Sequence, residues 1–248
     1  KFKKKGNRVK LMISLIKEHS ISCILKQNNF MSPYKYLTMA LLLSFGFSCS
    51  SDDNSNNNSI DNSADPVAKT AIPDPVFEQY LIDNSIDDVL DGEVTTASLA
   101  SVVTVILDDL NITNLSGIED FVNLDNLWLQ NTNLTNLNVS SNVLLKFLYF
   151  DNNNISNIDV SRLNSLEKLS FINNNVQSIN VSSNPNLQIL EISGNNILNL
   201  DISSNGELFT LKTSNNPLTC IQVSPEQLNN IPINWEIDID DEYALDCD

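Results

Sequence analysis

From residue 102 onward the sequence predicts a solenoid, with short parallel strands stacked into one concave sheet and turns or extended segments closing each coil on the convex side. Three observations predict it. Written from Leu124 in lines of 21, the chain reads LDNLWLQNTNLTNLNVSSNVL, LKFLYFDNNNISNIDVSRLNS, LEKLSFINNNVQSINVSSNPN, LQILEISGNNILNLDISSNGE and LFTLKTSNNPLTCIQVS, aligned without gaps, and residues 102–123 repeat the plan with one extra residue. The first four lines open with apolar positions two residues apart, the period of a strand, and the fifth has Leu211 followed by Thr213 at that spacing. Twenty-one residues per coil leave too little chain on the return side for a regular helix. No single unit can bury its apolar face, so the six units, residues 102–228, must stack on one another.

The columns of this alignment assign roles. Leu127 with Leu129, Leu148 with Phe150, Leu169 with Phe171 and Leu190 with Ile192 point into the core, and Leu134, Ile155, Val176, Ile197 and Leu218 form a further buried column. Asn153, Asn174, Asn195 and Asn216 form a structural ladder whose amides are expected to bond the backbone of the bend and of the neighbouring coil. Thr132 and Leu110 depart from that ladder. A second polar row holds Asn142, Asn184 and Asn205, with Leu163 interrupting it.

The wording LxxLxLxxN resembles that of leucine-rich repeat proteins, and LSGIEDF at residues 115–121 resembles the internalin-like form of the repeat. The resemblance covers residues 73–247 and implies an interaction module on a leucine-rich repeat solenoid, without catalysis. A stack also needs its ends covered. Residues 71–101, which begin AIPDPVFEQYLI, are similar to the small helical N-terminal cap of such bacterial proteins: Asp74 stands as N-cap, Pro75 in the first turn, and Phe77, Tyr80 and Leu81 on the apolar face. Residues 229–248 are the expected C-terminal cap, a non-repetitive segment containing Trp235. Family relatives with a similar LTCIQV and a late cysteine imply a disulfide between Cys220 and Cys247; two reduced buried thiols are the alternative.

Before the repeats the chain changes character twice. Residues 1–30 begin without Met and are expected to be upstream or extended leader, with Met31 rather than Met12 as the start. Residues 31–48 carry Lys35 and then an apolar run from Leu37 to Phe47, too short for the roughly 20 residues that span a bilayer. The run ends at Cys49, an arrangement that resembles the lipobox of bacterial lipoproteins of the Bacteroidota type. The resemblance implies that Cys49 is lipidated, that the membrane is met only through this anchor, and that Asp52 and Asp53 direct the protein to the outer face of the outer membrane. An ordinary secretory signal is the alternative. Residues 49–70, mostly Ser, Asn and Asp at their start, are expected to form a flexible tether.

Charge and composition narrow the chemistry. Of 14 Lys and Arg, nine precede Cys49, whereas 30 of the 31 acids follow it, so the net charge beyond Cys49 is 5 − 30 = −25. Such a surface repels phosphate backbones, which excludes nucleic acid as a partner. The one histidine, His19, lies ahead of Cys49, leaving the mature chain without the usual general base or the commonest zinc ligand. No cofactor or metal is expected. Asp87, Asp91 and Gly92 resemble half of a calcium loop, but Val89 and Ser98 fill ligand positions, and a solvated turn is the preferred reading.

Function is expected on the outward columns of the strands. They run Thr104, Asn126, Phe147, Lys168, Ile189, Thr210; then Ile106, Trp128, Tyr149, Ser170, Glu191, Lys212; then Asp108, Gln130, Asp151, Ile172, Ser193, Ser214. Strands lie about 4.8 Å apart, which brings Ile106, Trp128, Phe147, Tyr149, Asp151 and Ile172 into one candidate ligand-binding patch. An exposed aromatic cluster with polar neighbours has the composition of an interaction hot spot. The expected partner is an extracellular protein or polysaccharide, met as adhesin or receptor. A passive, self-associating surface component is the alternative. A hydrolase using Asp108 and Asp151 is disfavoured, because the two lie two strands apart on a face read as solvated.

Overall fold

The computed structural model describes residues 67–247; the calls on residues 1–48, on Cys49 and on most of the tether lie outside the described residues. Lys69–Ala71 (β1) pairs antiparallel with Glu93–Thr95 (β2), enclosing the helix Pro75–Asp83 (α1), and the short helix Thr96–Leu99 (α2) follows. Lys69 and Thr70, assigned to the tether by composition, are thus ordered in a sheet. The physical reason is local: Thr70 is buried, and its hydroxyl donates to Asp120 of the first coil.

The long sheet contains Thr104–Ile106 (β3), Asn126–Trp128 (β4), Phe147–Tyr149 (β5), Lys168–Ser170 (β6), Ile189–Glu191 (β7), Thr210–Lys212 (β9) and Trp235–Glu236 (β11). All neighbours are parallel, in the order β11-β9-β7-β6-β5-β4-β3. Leu200–Asp201 (β8), Cys220–Gln222 (β10) and Glu242–Ala244 (β12) form a small second parallel sheet on the return side. The rest of that side is turns and extended chain, as a 21-residue coil requires. The middle residue of each three-residue main strand is buried and its two neighbours are not, save Ser170.

The end of the stack corrects the six-unit count. Trp235 pairs with Leu211 and takes the inward leucine position of a seventh strand, and Tyr243 pairs with Ile221, so residues 229–247 form one more coil. The Trp235 and Tyr243 rings lie 5.5 Å apart within it. Cys220 and Cys247 form a disulfide, Cα to Cα 5.8 Å, which ties this last coil to the one before.

The core is one continuous column of Leu, Ile, Val and Phe. Leu127, Leu129, Leu148, Phe150, Leu169, Phe171, Leu190 and Ile192 are all without exposure, and Phe150 stacks on Phe171 at 5.3 Å. At the N-terminal end Phe77 of α1 stacks on Phe121 at 6.0 Å. The Tyr80 hydroxyl accepts the Ile106 N–H, which satisfies part of the outer edge of β3. Asp74 caps α1 by accepting the N–H groups of Val76 and Phe77, and its second oxygen accepts those of Thr113 and Asn114. One buried carboxylate therefore binds helix to first coil. Burial raises its pKa, but these four backbone donors outweigh burial and hold it below the usual carboxylate range.

The asparagine columns work as hydrogen-bonding ladders. In each of Asn153, Asn174, Asn195 and Asn216 the side-chain N–H₂ donates to a carbonyl of its own bend and to one in the preceding coil. Their carbonyl oxygens accept the N–H groups of Leu134, Ile155, Val176 and Ile197. Thr132 continues the ladder in reduced form, its single hydroxyl proton lying within hydrogen-bonding reach of two acceptors, Leu129 O and Asn153 Oδ1. In the second row Asn142, Asn184 and Asn205 donate to paired backbone carbonyls, and Gln227 extends it at the C-terminal end by donating to Ile202 O and Asn205 O.

A third ladder is exposed. Asn131, Asn152, Asn173 and Asn215 adopt left-handed backbone with φ between 55° and 62°. This region suits Asn because its short amide tolerates the crowding that other side chains do not. Asn131 donates to Asp109, Asn152 to Asn131, and Asn173 to Asn152, each at 2.8 Å. Gly194 ends the run: a Cβ there would sit 2.4 Å from Asn173 Oδ1.

Candidate interaction surface

The register aligns the outward columns coil by coil. Ile106 pairs with Trp128, Trp128 with Tyr149, Tyr149 with Ser170, Ser170 with Glu191 and Glu191 with Lys212. Trp128 and Tyr149 are half-buried, while Leu127 and Leu148 between their neighbours are wholly inside. The two rings lie 4.5 Å apart and are tilted by 39°. Phe147 and Ile172 are half-buried on the same face, and Ile106 is 48% exposed at its N-terminal end. The sheet thereby displays an apolar strip that no other part of the described chain covers completely.

The C-terminal half of the strip is charged. Lys168 Nζ stands 5.0 Å from the Tyr149 ring centroid, within cation–π range. The same ammonium is 2.9 Å from Glu191, and Lys212 is 2.7 Å from the other Glu191 oxygen. Burial pushes the Glu191 carboxyl up, but the hydrogen bonds from Lys212 and Lys168 outweigh it and hold the group below the usual range. Lys212 is correspondingly raised by Glu191. Burial, then Glu191 and Asp151, push the Tyr149 phenol up. The sequence columns contained Lys168, Glu191 and Lys212 but did not single them out; their signal was Glu191 and Lys212 at paired register positions, with Lys168 on the diagonal from Glu191 one strand away.

Asp151 corrects the sequence reading. Expected as a solvated outward group, it is 8% exposed. One oxygen accepts the Ser170 hydroxyl at 2.7 Å and the Ile172 N–H at 2.8 Å, and the other accepts the Gln130 amide. With three donors in place, Asp151 braces β4, β5 and β6 from the edge of the face. Asp108 makes the analogous bond one coil pair earlier, accepting the Gln130 N–H at 2.7 Å. Burial raises the Asp108 carboxyl; that backbone bond counters it only in part, and Asp109 and Asp151 add repulsion.

The loop at Asp87 and Asp91 is tied internally. Glu78, buried in α1, accepts the N–H groups of Asp91 and Gly92, and Asp91 accepts that of Glu93. Among the described residues no group of three or more His, Cys, Asp or Glu is placed to hold a metal ion, and no helix is long and apolar enough to cross a membrane.

This strand register, core and asparagine ladder define a leucine-rich repeat solenoid of about seven turns. The chain is similar in structure to the functional domain of InlJ from Listeria monocytogenes, at 25% identity and a TM-score of 0.57, over 63% of this chain and 38% of that one. It also matches a leucine-rich repeat protein of Leptospira interrogans at 25% identity and a TM-score of 0.48, over 57% of this chain and 38% of that one. The chain thus spans well under half the length of these two solved structures. No family model matches the sequence, and no curated protein matches it.

Proposed function

We propose that this chain is a surface lipoprotein, moored through Cys49, whose repeat domain binds an extracellular protein through the concave face without catalysis. The observation that carries the reading is the Trp128–Tyr149 pair, two rings in contact on a sheet face of a strongly acidic molecule. Aromatic anchors beside fixed charges are the residues that dominate binding energy in protein interfaces. The surrounding groups are held in place beforehand, Lys168 by Glu191 and Asp151 by its three donors, so little side-chain entropy is lost on binding. The Cys220–Cys247 disulfide supports export, because cytosolic thiols are kept reduced. Fold likeness adds the solenoid, not the ligand.

The test is a screen of the protein against arrays of extracellular proteins and glycans, with Trp128→Ala and Tyr149→Ala beside it. Capture of a protein that both substitutions weaken at least tenfold is expected. Retention of full affinity by both variants would place binding elsewhere. Turnover of a captured substrate that is lost on Asp108→Asn would overturn the non-catalytic reading.

A further inference from the structure

The two halves of the concave strip differ in electrical completeness. On one side of Tyr149, Lys168 supplies a cation to the ring and is itself neutralised by Glu191, which also holds Lys212. On the other side Trp128, the aromatic with the strongest affinity for cations, has no cation over it among the described residues. Asp108 projects from the same face, and its oxygen accepts the N–H of Gln130, two residues beyond Trp128. Its carboxylate forms no ion pair among the described residues, and its near charges are the carboxylates Asp109 and Asp151. Ile106, 48% exposed on the adjoining strand, adds an apolar wall. An indole face, an unneutralised carboxylate and an apolar wall together match one chemistry: a long aliphatic stem ending in a positive charge.

Resting on the binding role argued above, we propose that the protein partner seats an arginine or lysine side chain over Trp128, its stem against Ile106 and its charge toward Asp108. Charge complementarity selects this occupant. A neutral sugar would stack on the indole and leave Asp108 uncompensated, and an anionic polysaccharide would meet a chain whose net charge beyond Cys49 is −25. The same field accelerates encounter with a basic partner and so makes the association rate fall with added salt. The intramolecular Lys168–Tyr149 contact is a copy of the proposed one, one strand along.

The experiment follows the two indole N–H resonances of the full chain, Trp128 and Trp235, during titration with N-acetyl-arginine amide. N-acetyl-citrulline amide, nearly isosteric and uncharged, is the control. A saturable shift of Trp128 alone is expected with arginine, with citrulline weaker by about threefold to tenfold, the range of an exposed cation–π contact plus one partly screened charge pair. Asp108→Asn, which keeps the acceptor for Gln130, should weaken arginine binding severalfold. Asp159→Asn, at an exposed carboxylate on the return side, should not. Equal response to citrulline, a shift shared by Trp235, insensitivity to Asp108→Asn, or no saturable shift would each overturn the proposal. Neutral oligosaccharides that shift Trp128 where arginine does not would assign the face to a glycan instead. The broader reading fails separately: it falls if the captured protein is indifferent to both Trp128→Ala and Tyr149→Ala, whatever the titration shows.

Discussion

Replacing Asn174 with alanine tests the ladder that holds the coils together, and the structure sets the size of the effect. The amide makes three main bonds: it donates to Phe150 O at 2.9 Å and Phe171 O at 3.2 Å, and it accepts from Ile155 N at 3.1 Å. Both carbonyls keep another donor in the variant, since Asn153 also bonds Phe150 O and Asn195 also bonds Phe171 O. The Ile155 N–H keeps none. A stranded buried donor costs about 1–3 kcal/mol, and the two shared bonds add about 0.5 kcal/mol each, giving about 2–4 kcal/mol in total. Asn175, its exposed neighbour, is the control, and Asn175→Ala should stay within about 0.5 kcal/mol of the parent. Urea unfolding followed by tryptophan fluorescence reads the difference; with a slope near 2 kcal/mol/M the midpoint of Asn174→Ala falls by about 1–2 M. Equal midpoints for the two variants would refute the account of the ladder.

Three further outcomes follow from the ends of the stack. Reducing the Cys220–Cys247 bridge, or replacing both residues with serine, releases a loop with sequence separation 27 and should cost about 3.5 kcal/mol on the chain-entropy estimate, read as a lower urea midpoint. Trp235→Ala should cost about 3 kcal/mol or more if this residue is a core position of a seventh coil, and under 1 kcal/mol if the segment only drapes the end. Asp74 makes the N-terminal end acid-sensitive. Its folded pKa lies below the unfolded value of about 3.9, so the unfolded chain takes up the proton first. The stabilisation is complete above about pH 5 and is lost as pH falls through the folded pKa; Asp74→Asn should lower stability at pH 7 and flatten the acid limb of the pH profile.

Much of this was legible in the sequence because a coil of fixed length translates columns directly into space. The inward leucines, the buried asparagines and the outward columns occupy the positions that the 21-residue alignment gives them, since parallel strands in register leave no freedom to slip. What escaped it lies where that translation stops. Trp235 follows Leu211 by 24 residues rather than 21 and puts a tryptophan where the repeat has leucine, so the 21-residue alignment passes over the last coil and its pairing reveals it. Gln227 stands one residue past the asparagine column, and its longer side chain makes up the difference. Alternation placed Asp151 on the outward face correctly, yet it says nothing about three neighbours closing over a carboxylate. The exposed asparagines at 131, 152 and 173 were hidden in NNN and NTN triplets, where only the left-handed φ separates the surface ladder from the buried one.

The central claim, that the aromatic face meets a partner, is tested most directly by hydroxyl-radical footprinting of the free chain and of the chain bound to whatever protein the screen captures. Trp128 and Tyr149 should be oxidised readily in the free chain and protected severalfold in the complex, while Ile233 and Leu228 at the far end remain unchanged. Rings that are inert in the free chain, or equally reactive with and without partner, would contradict it.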